Sequence, residues 1–162
     1  MDKIVEICCG SYEDALAAYR GGAKRIELNS ALYLGGLTPS VGTLLLTKKH
    51  TDLKVVAMVR PRAAGFCYSD ADFAVMKADT QLLMQNGADG IAFGCLDAEA
   101  RLHETQIREI VEIIEHYHGE AVFHRAFDCV EDQDGAMEAL IGMGICRVLT
   151  SGGKAKAMDG AQ

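Results

Sequence analysis

The chain contains no tryptophan, no block of basic residues and no pair of cysteines at C-x-x-C spacing. Each absence removes a class of function. Its 16 lysines and arginines face 23 acidic residues, for a formal net charge of −7. Such a surface is repelled by nucleic acid and by anionic membranes, which leaves small molecules, metals and other proteins as partners. No apolar run approaches the roughly 20 residues that span a bilayer. The start, MDKIVEICCG, lacks the basic opening and long apolar stretch of a signal peptide, so the expected location is the cytoplasm. The six cysteines are scattered through apolar segments. That argues against a disulfide framework or a zinc ribbon, and for free thiols. The first strand-to-helix turn, CCGSYEDA, lacks the G-x-G-x-x-G of a dinucleotide fold, and no linker or low-complexity segment interrupts the chain.

What is present is a series of short apolar runs alternating with longer amphipathic ones. With 162 residues, 49% of them hydrophobic, the chain has enough for one domain over residues 1–162. Runs at 3–8, 25–29, 54–59, 90–94, 121–125 and 146–150 are rich in β-branched or aromatic residues and too short for helices. They predict six strands. Between them, Ser11, Thr38 with Pro39, and Ser69 open helical patterns as N-caps. A helix is predicted over about 105–118, with Ile107, Ile110, Val111, Ile114 and Tyr117 on one stripe and Gly119 as its stop. Strand and helix alternating at this spacing means parallel pairing with right-handed crossovers. Length favours an open doubly wound sheet, since an eight-unit barrel takes roughly 250 residues. The charges in mid-strand, Glu6, Arg25 and Glu27, favour a barrel, whose inner face accepts a polar layer near its mouth.

Alternation along a strand puts Glu6 with Cys8, Arg25 with Glu27 and Asn29, Val56 with Met58 and Arg60, and Val122 with His124. Polar residues also collect at strand C-terminal ends, where the loops of such folds build their sites. In 121-AVFHRAFDCVED-132 an apolar strand ends within a few residues in His124, Arg125 and Asp128. One reading is an ion-pair network of Glu6, Glu27, Arg60 and Arg62 that holds the mouth together. Another is a ligand site of Glu6, Glu27, Arg60, Arg62, His124 and Arg125. In an enzyme, His124 would act as general acid or base with Asp128 or Glu27 as partner, while Arg60 and Arg62 hold a small anionic group, a phosphate or carboxylate. The loop 150-TSGG-153 offers an anion nest or an ordinary helix start. Four thiols, Cys8, Cys67, Cys95 and Cys129, fall near strand ends, and soft thiolates suit Cu(I). Cys8, on the same side as Glu6, is the first candidate ligand, whereas Cys9, Cys95 and Cys146 read as core filler. His50, His103, His116 and His118 read as surface residues.

The segments 5-VEICCGS-11, 25-RIELNSALYLGGLTPSVG-42, 58-MVRPRAAGFCYSDADF-73, 123-FHRAFD-128 and 147-RVLTSGG-153, taken in order over essentially the whole chain, resemble the CutC family, which is associated with copper homeostasis. The resemblance implies a cytoplasmic, parallel (β/α) TIM-barrel-like α/β protein with a Cu(I) site at the barrel mouth through Cys8, and with Cys67 as a weaker candidate. Members often carry a cysteine after the second strand, in a form like RIELC, which would pair with the first-strand cysteine around Cu(I). Asn29 stands there in this chain. Members also continue past the LTSG strand, so the C-terminal part of the barrel is expected to be missing after about six strand-helix units. The first and sixth strands would then be unpaired edges, from which a homo-oligomer is expected.

Overall fold

The computed structural model describes residues 3–161. All six predicted strands form, each shorter than its apolar run: β1 (Glu6–Cys9), β2 (Arg25–Leu28), β3 (Lys54–Met58), β4 (Gly90–Phe93), β5 (Glu120–Phe123) and β6 (Arg147–Val148). They pair in parallel in sequence order, with Cys8 opposite Glu27, Glu27 opposite Val56, and Val122 opposite Arg147. Among the described residues β1 pairs only with β2 and β6 only with β5. The sheet is nevertheless curled. Arg147 on β6 reaches Glu6 on β1 at 3.1 Å, although the two strands stand at opposite ends of the order. Glu6 also meets Arg25 at 2.6 Å, and Arg147 meets Glu120 at 2.9 Å. These four residues tie both ends of a half-barrel on its inner face.

Five helices cover the outer face: α1 (Tyr12–Arg20), α2 (Val41–His50), α3 (Asp70–Gln85), α4 (Glu104–His116) and α5 (Gln133–Gly142). Ser11 accepts from the Asp14 amide, and Ser69 forms a full capping box with Asp72. The cap of α2 is Ser40 rather than Thr38. The Thr38 hydroxyl is engaged elsewhere, accepting from the Arg60 amide at 3.0 Å, so the helix starts two residues later than the Thr-Pro signal suggests. The stripe of α4 is buried through Ile107, Ile110 and Ile114, as its 3.6-residue period requires.

The period of two on the strands divides the apolar residues into two sets. Val55, Ala57, Ile91, Phe93 and Phe123 point outward into the core beneath the helices, together with Leu44, Met76 and Ile110. Val56, Met58, Ala92 and Val122 point inward and form a small separate cluster against which Leu149 packs. That inner cluster floors the space above it, where the strands end.

Candidate functional site

At the C-terminal ends of the strands lies an open cavity of about 780 Å³. Its wall takes Cys8 from β1, Glu27 from β2, Arg60 after β3 and His124 after β5. These are alternate residues on strands that leave the sheet there, so the same parity that buries Val56 and Val122 in the inner cluster sends Arg60 and His124 to the mouth. Phe66, Met58, Leu34 and Leu149 supply apolar wall, and Arg125, Lys154 and Cys129 complete the rim.

Glu27 is buried with 9% exposure. Its Oε2 accepts from Asn29 Nδ2 at 2.9 Å and from the Cys8 thiol at 3.6 Å, while Oε1 has no partner among the described residues. Burial raises the Glu27 pKa above the usual carboxylate range, against the lowering effect of the Asn29 hydrogen bond. The Cys8 thiol is pushed up to about 12, by burial first and then by the neighbouring Glu27 carboxylate. Asn29 Nδ2 also reaches Cys8 Sγ at 3.5 Å.

His124 is held on three sides. Its Nδ1 accepts from the Ala126 amide at 3.2 Å, the Phe66 ring lies 4.9 Å away between centroids, and Gly94 leaves room for the ring edge. A Cβ at Gly94 would stand 2.6 Å from His124 Cε1. Burial first, then the Arg60 charge, lower the imidazole to about 3, so it is neutral at physiological pH. With Nδ1 accepting, Nε2 carries the proton, and Nε2 has no partner among the described residues.

Arg60, 8% exposed, spends its terminal nitrogens on backbone: Nη1 donates to the Leu34 and Gly36 carbonyls at 2.9 and 3.0 Å, and Nη2 to the Ala64 carbonyl at 2.9 Å. It thereby fixes the loop after β2, whose 3-10 turn Leu32–Leu34 lies between left-handed Ala31 and Gly35. Its Nε has no partner among the described residues. Arg62 turns elsewhere, pairing with Asp72 at 2.9 Å and donating to the Cys67 carbonyl at 2.8 Å. Neither Arg62 nor Cys67 lines the cavity, nor does Glu6, which belongs to the Arg25–Arg147 network. The four-residue network of Glu6, Glu27, Arg60 and Arg62 therefore does not form. The ion pairs run instead between Glu6, Arg25, Arg147 and Glu120.

Asp128 is saturated. It accepts from the Thr150 hydroxyl at 2.5 Å, the Ser151 amide and hydroxyl at 3.0 Å, the Gly153 amide at 3.1 Å and Arg125 Nε at 3.0 Å. Burial works to raise its pKa, but these donors outweigh it and hold the carboxyl well below the usual range. Of the two readings of 150-TSGG-153, a helix start or an anion nest, the amides of Ser151 and Gly153 converge as in a nest, and Asp128 fills it.

Of the four thiols expected near strand ends, Cys8 and Cys129 line the cavity, Cys95 is fully buried in the outer core, and Cys67 is exposed outside the cavity. Cys9 is core, as expected, but Cys146, at the start of an edge strand, is exposed. Among the described residues no group of three or more His, Cys, Asp or Glu side chains has metal-binding geometry. No helix is long and apolar enough to cross a membrane, again among the described residues. Lys154 was not foreseen in the sequence. Its signal is its place directly after the TSGG turn, as Cys129's is its place just past β5.

The chain is similar over 157 residues to a CutC protein of Treponema denticola, at 51% identity, covering 97% of this chain and 63% of the relative. It is 43% identical over 157 residues to the human copper homeostasis protein cutC homolog, covering 57% of that protein. The chain thus spans less than two thirds of the length of these curated relatives. The crystal structure of a CutC from Streptococcus agalactiae superposes with a TM-score of 0.87 at 25% identity, over 94% of this chain and 74% of the other. An aldolase, QR15, shares the fold alone, with a TM-score of 0.62 at 17% identity over 98% of this chain and 74% of the other. The CutC family model matches residues 3–162, and the chain belongs to the CutC family.

Proposed function

We propose that the mouth cavity takes a Cu(I) ion with Cys8 as thiolate ligand, in keeping with the copper homeostasis named for the human relative. The observation that carries this reading is that Cys8 on β1 and Cys129 just after β5, far apart in the strand order, line one cavity. Cu(I) favours two soft sulfur donors in a short coordination shell. Asn29, 3.5 Å from the Cys8 sulfur, offers that ion only an amide, so Cys129 is the second ligand in this reading. Because burial and the Glu27 carboxylate push the Cys8 thiol up to about 12, the metal must displace its proton, and affinity falls about tenfold for each unit by which the pH is lowered, per thiol so displaced. A cytoplasmic setting goes with this reading, since it needs reduced thiols. Competition titration of the reduced protein with Cu(I) and a chelator tests it: Cys8→Ala and Cys129→Ala each weaken binding, and Asn29→Cys tightens it. Equal affinities of wild type and Cys8→Ala would sink the assignment.

A second reading is an enzyme acting on a small anionic substrate. It is supported by Arg125 and Lys154 at the rim of the same cavity, where Lys154 Nζ makes no hydrogen bond or ion pair among the described residues. Thermal-shift screening with phosphorylated sugars and carboxylates tests it, the double variant Arg125→Ala, Lys154→Ala losing any shift the wild type shows. Indifference of the wild type to every anion ends this line.

Self-association is supported by β1, whose outer edge is unpaired among the described residues and beside which Ile4, Val5 and Ile7 are exposed. Sedimentation velocity at micromolar concentration tests it, a monomer being the contrary result.

A further inference from the structure

The outer face of α2 and α3 is unlike that of the helix beside it. On α2 the buried residues are Leu44 and Thr47, which turns Leu45 and Leu46 outward, where they are 46% and 43% exposed. On α3 the burial of Phe73, Met76, Thr80 and Leu83 turns Ala71, Val75, Ala78 and Leu82 to the opposite side, at helical spacing, and all four are exposed. The exposed side of α4 carries Glu104, Arg108, Glu112 and Glu115, as a solvated face does. α3 is instead apolar on both sides.

Charge is drawn aside from this face. Lys77 pairs with Glu109 at 2.8 Å on the α4 side, Asp72 with Arg62 at 2.9 Å and Lys48 with Asp89 at 2.7 Å, while Asp79 meets the Thr38 hydroxyl and His50 meets Tyr12 of α1. The acidic or basic residues left exposed on the two helices beside His50 are Asp70, at the start of α3, and Lys49, near the end of α2. Both helices return antiparallel to a parallel sheet and so run in the same direction, which puts Asp70 and Lys49 at opposite ends of the face. α3 packs closely on α4 and only sparsely on α2, leaving a shallow apolar furrow between α2 and α3.

We infer that this face binds a second copy of the chain, through a two-fold axis that sets the α2–α3 pairs of the two copies antiparallel. The inference rests on the reading that the chain self-associates, and it moves the contact from the β1 edge to the helices. Charge selects the occupant. Each copy carries −7, so two copies repel over most of their surfaces and meet closely only where charge is absent. A two-fold contact puts the same patch on both sides, and an antiparallel one brings Asp70 of each copy toward the end that carries Lys49 in the other. Area sets the strength. At about 24 Å for α3, about 15 Å for α2 and about 10 Å of width for each, the face covers about 400 Å² in plan, enough to mark a contact site on a soluble protein. Two copies bury about 800 Å², and more once the relief of the side chains is followed, against a lower bound of about 1,000 Å² for specific contacts. The dimer is therefore a reversible one.

Sedimentation velocity of the protein in reductant, from about 5 to about 500 µM to bracket a contact of this size, is the test. The wild type should move from monomer toward dimer over that range. Leu45→Arg and Leu82→Glu, both at exposed positions where substitution leaves the fold intact, should each weaken association at least tenfold, with melting temperatures at low concentration close to that of the wild type. Val5→Glu, at the β1 edge, should leave association unchanged. A dimer that survives both helix substitutions overturns the inference, and its loss in Val5→Glu would leave self-association through β1 standing. A monomer at every concentration overturns the inference and the self-association reading together, and gives the apolar face to a protein of different sequence.

Discussion

His124 shows how one residue's surroundings decide its chemistry. Its titration at about 3, against 6.5 for an unburied imidazole, means that between those pH values the unfolded chain binds a proton here that the folded chain does not. Stability is therefore complete above about pH 6.5 and falls as the pH drops toward 3, with a slope for this group approaching about 1.4 kcal/mol per pH unit. Urea midpoints at pH 7 and pH 5 check this: the wild type should lose more on acidification than His124→Gln, which has no imidazole to charge. Gly94 is the second lever. Adding a methyl brings Cβ within 2.6–2.8 Å of His124 and Ala126, so Gly94→Ala should cost about 1–3 kcal/mol as an overpacked core site does and displace the ring, visible as a change in its NMR shifts. The sequence announces His124 by its place at the end of an apolar strand. It gives no hint of the Gly94 dependence, or that the imidazole is neutral, because both depend on what the next strand brings alongside.

Among the elements, local pattern was sufficient wherever the physics is local. The six strands follow from short β-branched runs, and α4 from a 3.6-residue stripe that is buried at Ile107, Ile110 and Ile114. Ile110→Ala should lower stability by about 2–5 kcal/mol through the cavity it leaves, measured by denaturant unfolding, whereas the exposed Val75 on α3 should tolerate alanine within about 0.5 kcal/mol. Where a capping hydroxyl has a distant competitor, local reading fails: Thr38 looks like the start of α2 and instead receives the Arg60 amide from 22 residues away. The same limit explains the arginines. Arg60 and Arg62 are two residues apart beyond β3 and look equivalent in sequence, yet one is anchored to the β2 loop and the other to Asp72 at the start of α3.

For the molecule as a whole, the charged alternation in β1 and β2 foretold a curved wall with polar groups inside, but not which charges would pair. Arg147 reads as an ordinary residue of a short sixth strand, and only curvature brings it to Glu6, 141 positions earlier. Replacing it by methionine should cost about 1–3 kcal/mol by leaving Glu6 and Glu120 short of a charged partner, and the loss should shrink only slightly in 1 M salt, which screens these largely buried charges less than exposed ones. Chemical denaturation at two salt concentrations measures both. The candidate cavity was legible in its location and, of its lining, in Cys8, Glu27, Arg60, His124 and Arg125. Its polarity was not, since donors and acceptors become known only after each group's structural bonds are subtracted.

Asp128 carries one more consequence. By folding its own carboxylate into the turn at Thr150–Gly153, the protein supplies the counter-ion that such a turn would otherwise draw from its medium. Sulfate or inorganic phosphate should leave the melting temperature of the wild type almost unmoved, while an Asp128→Ala protein, destabilised in water, should become thirsty for either ion and regain part of its melting temperature when given one.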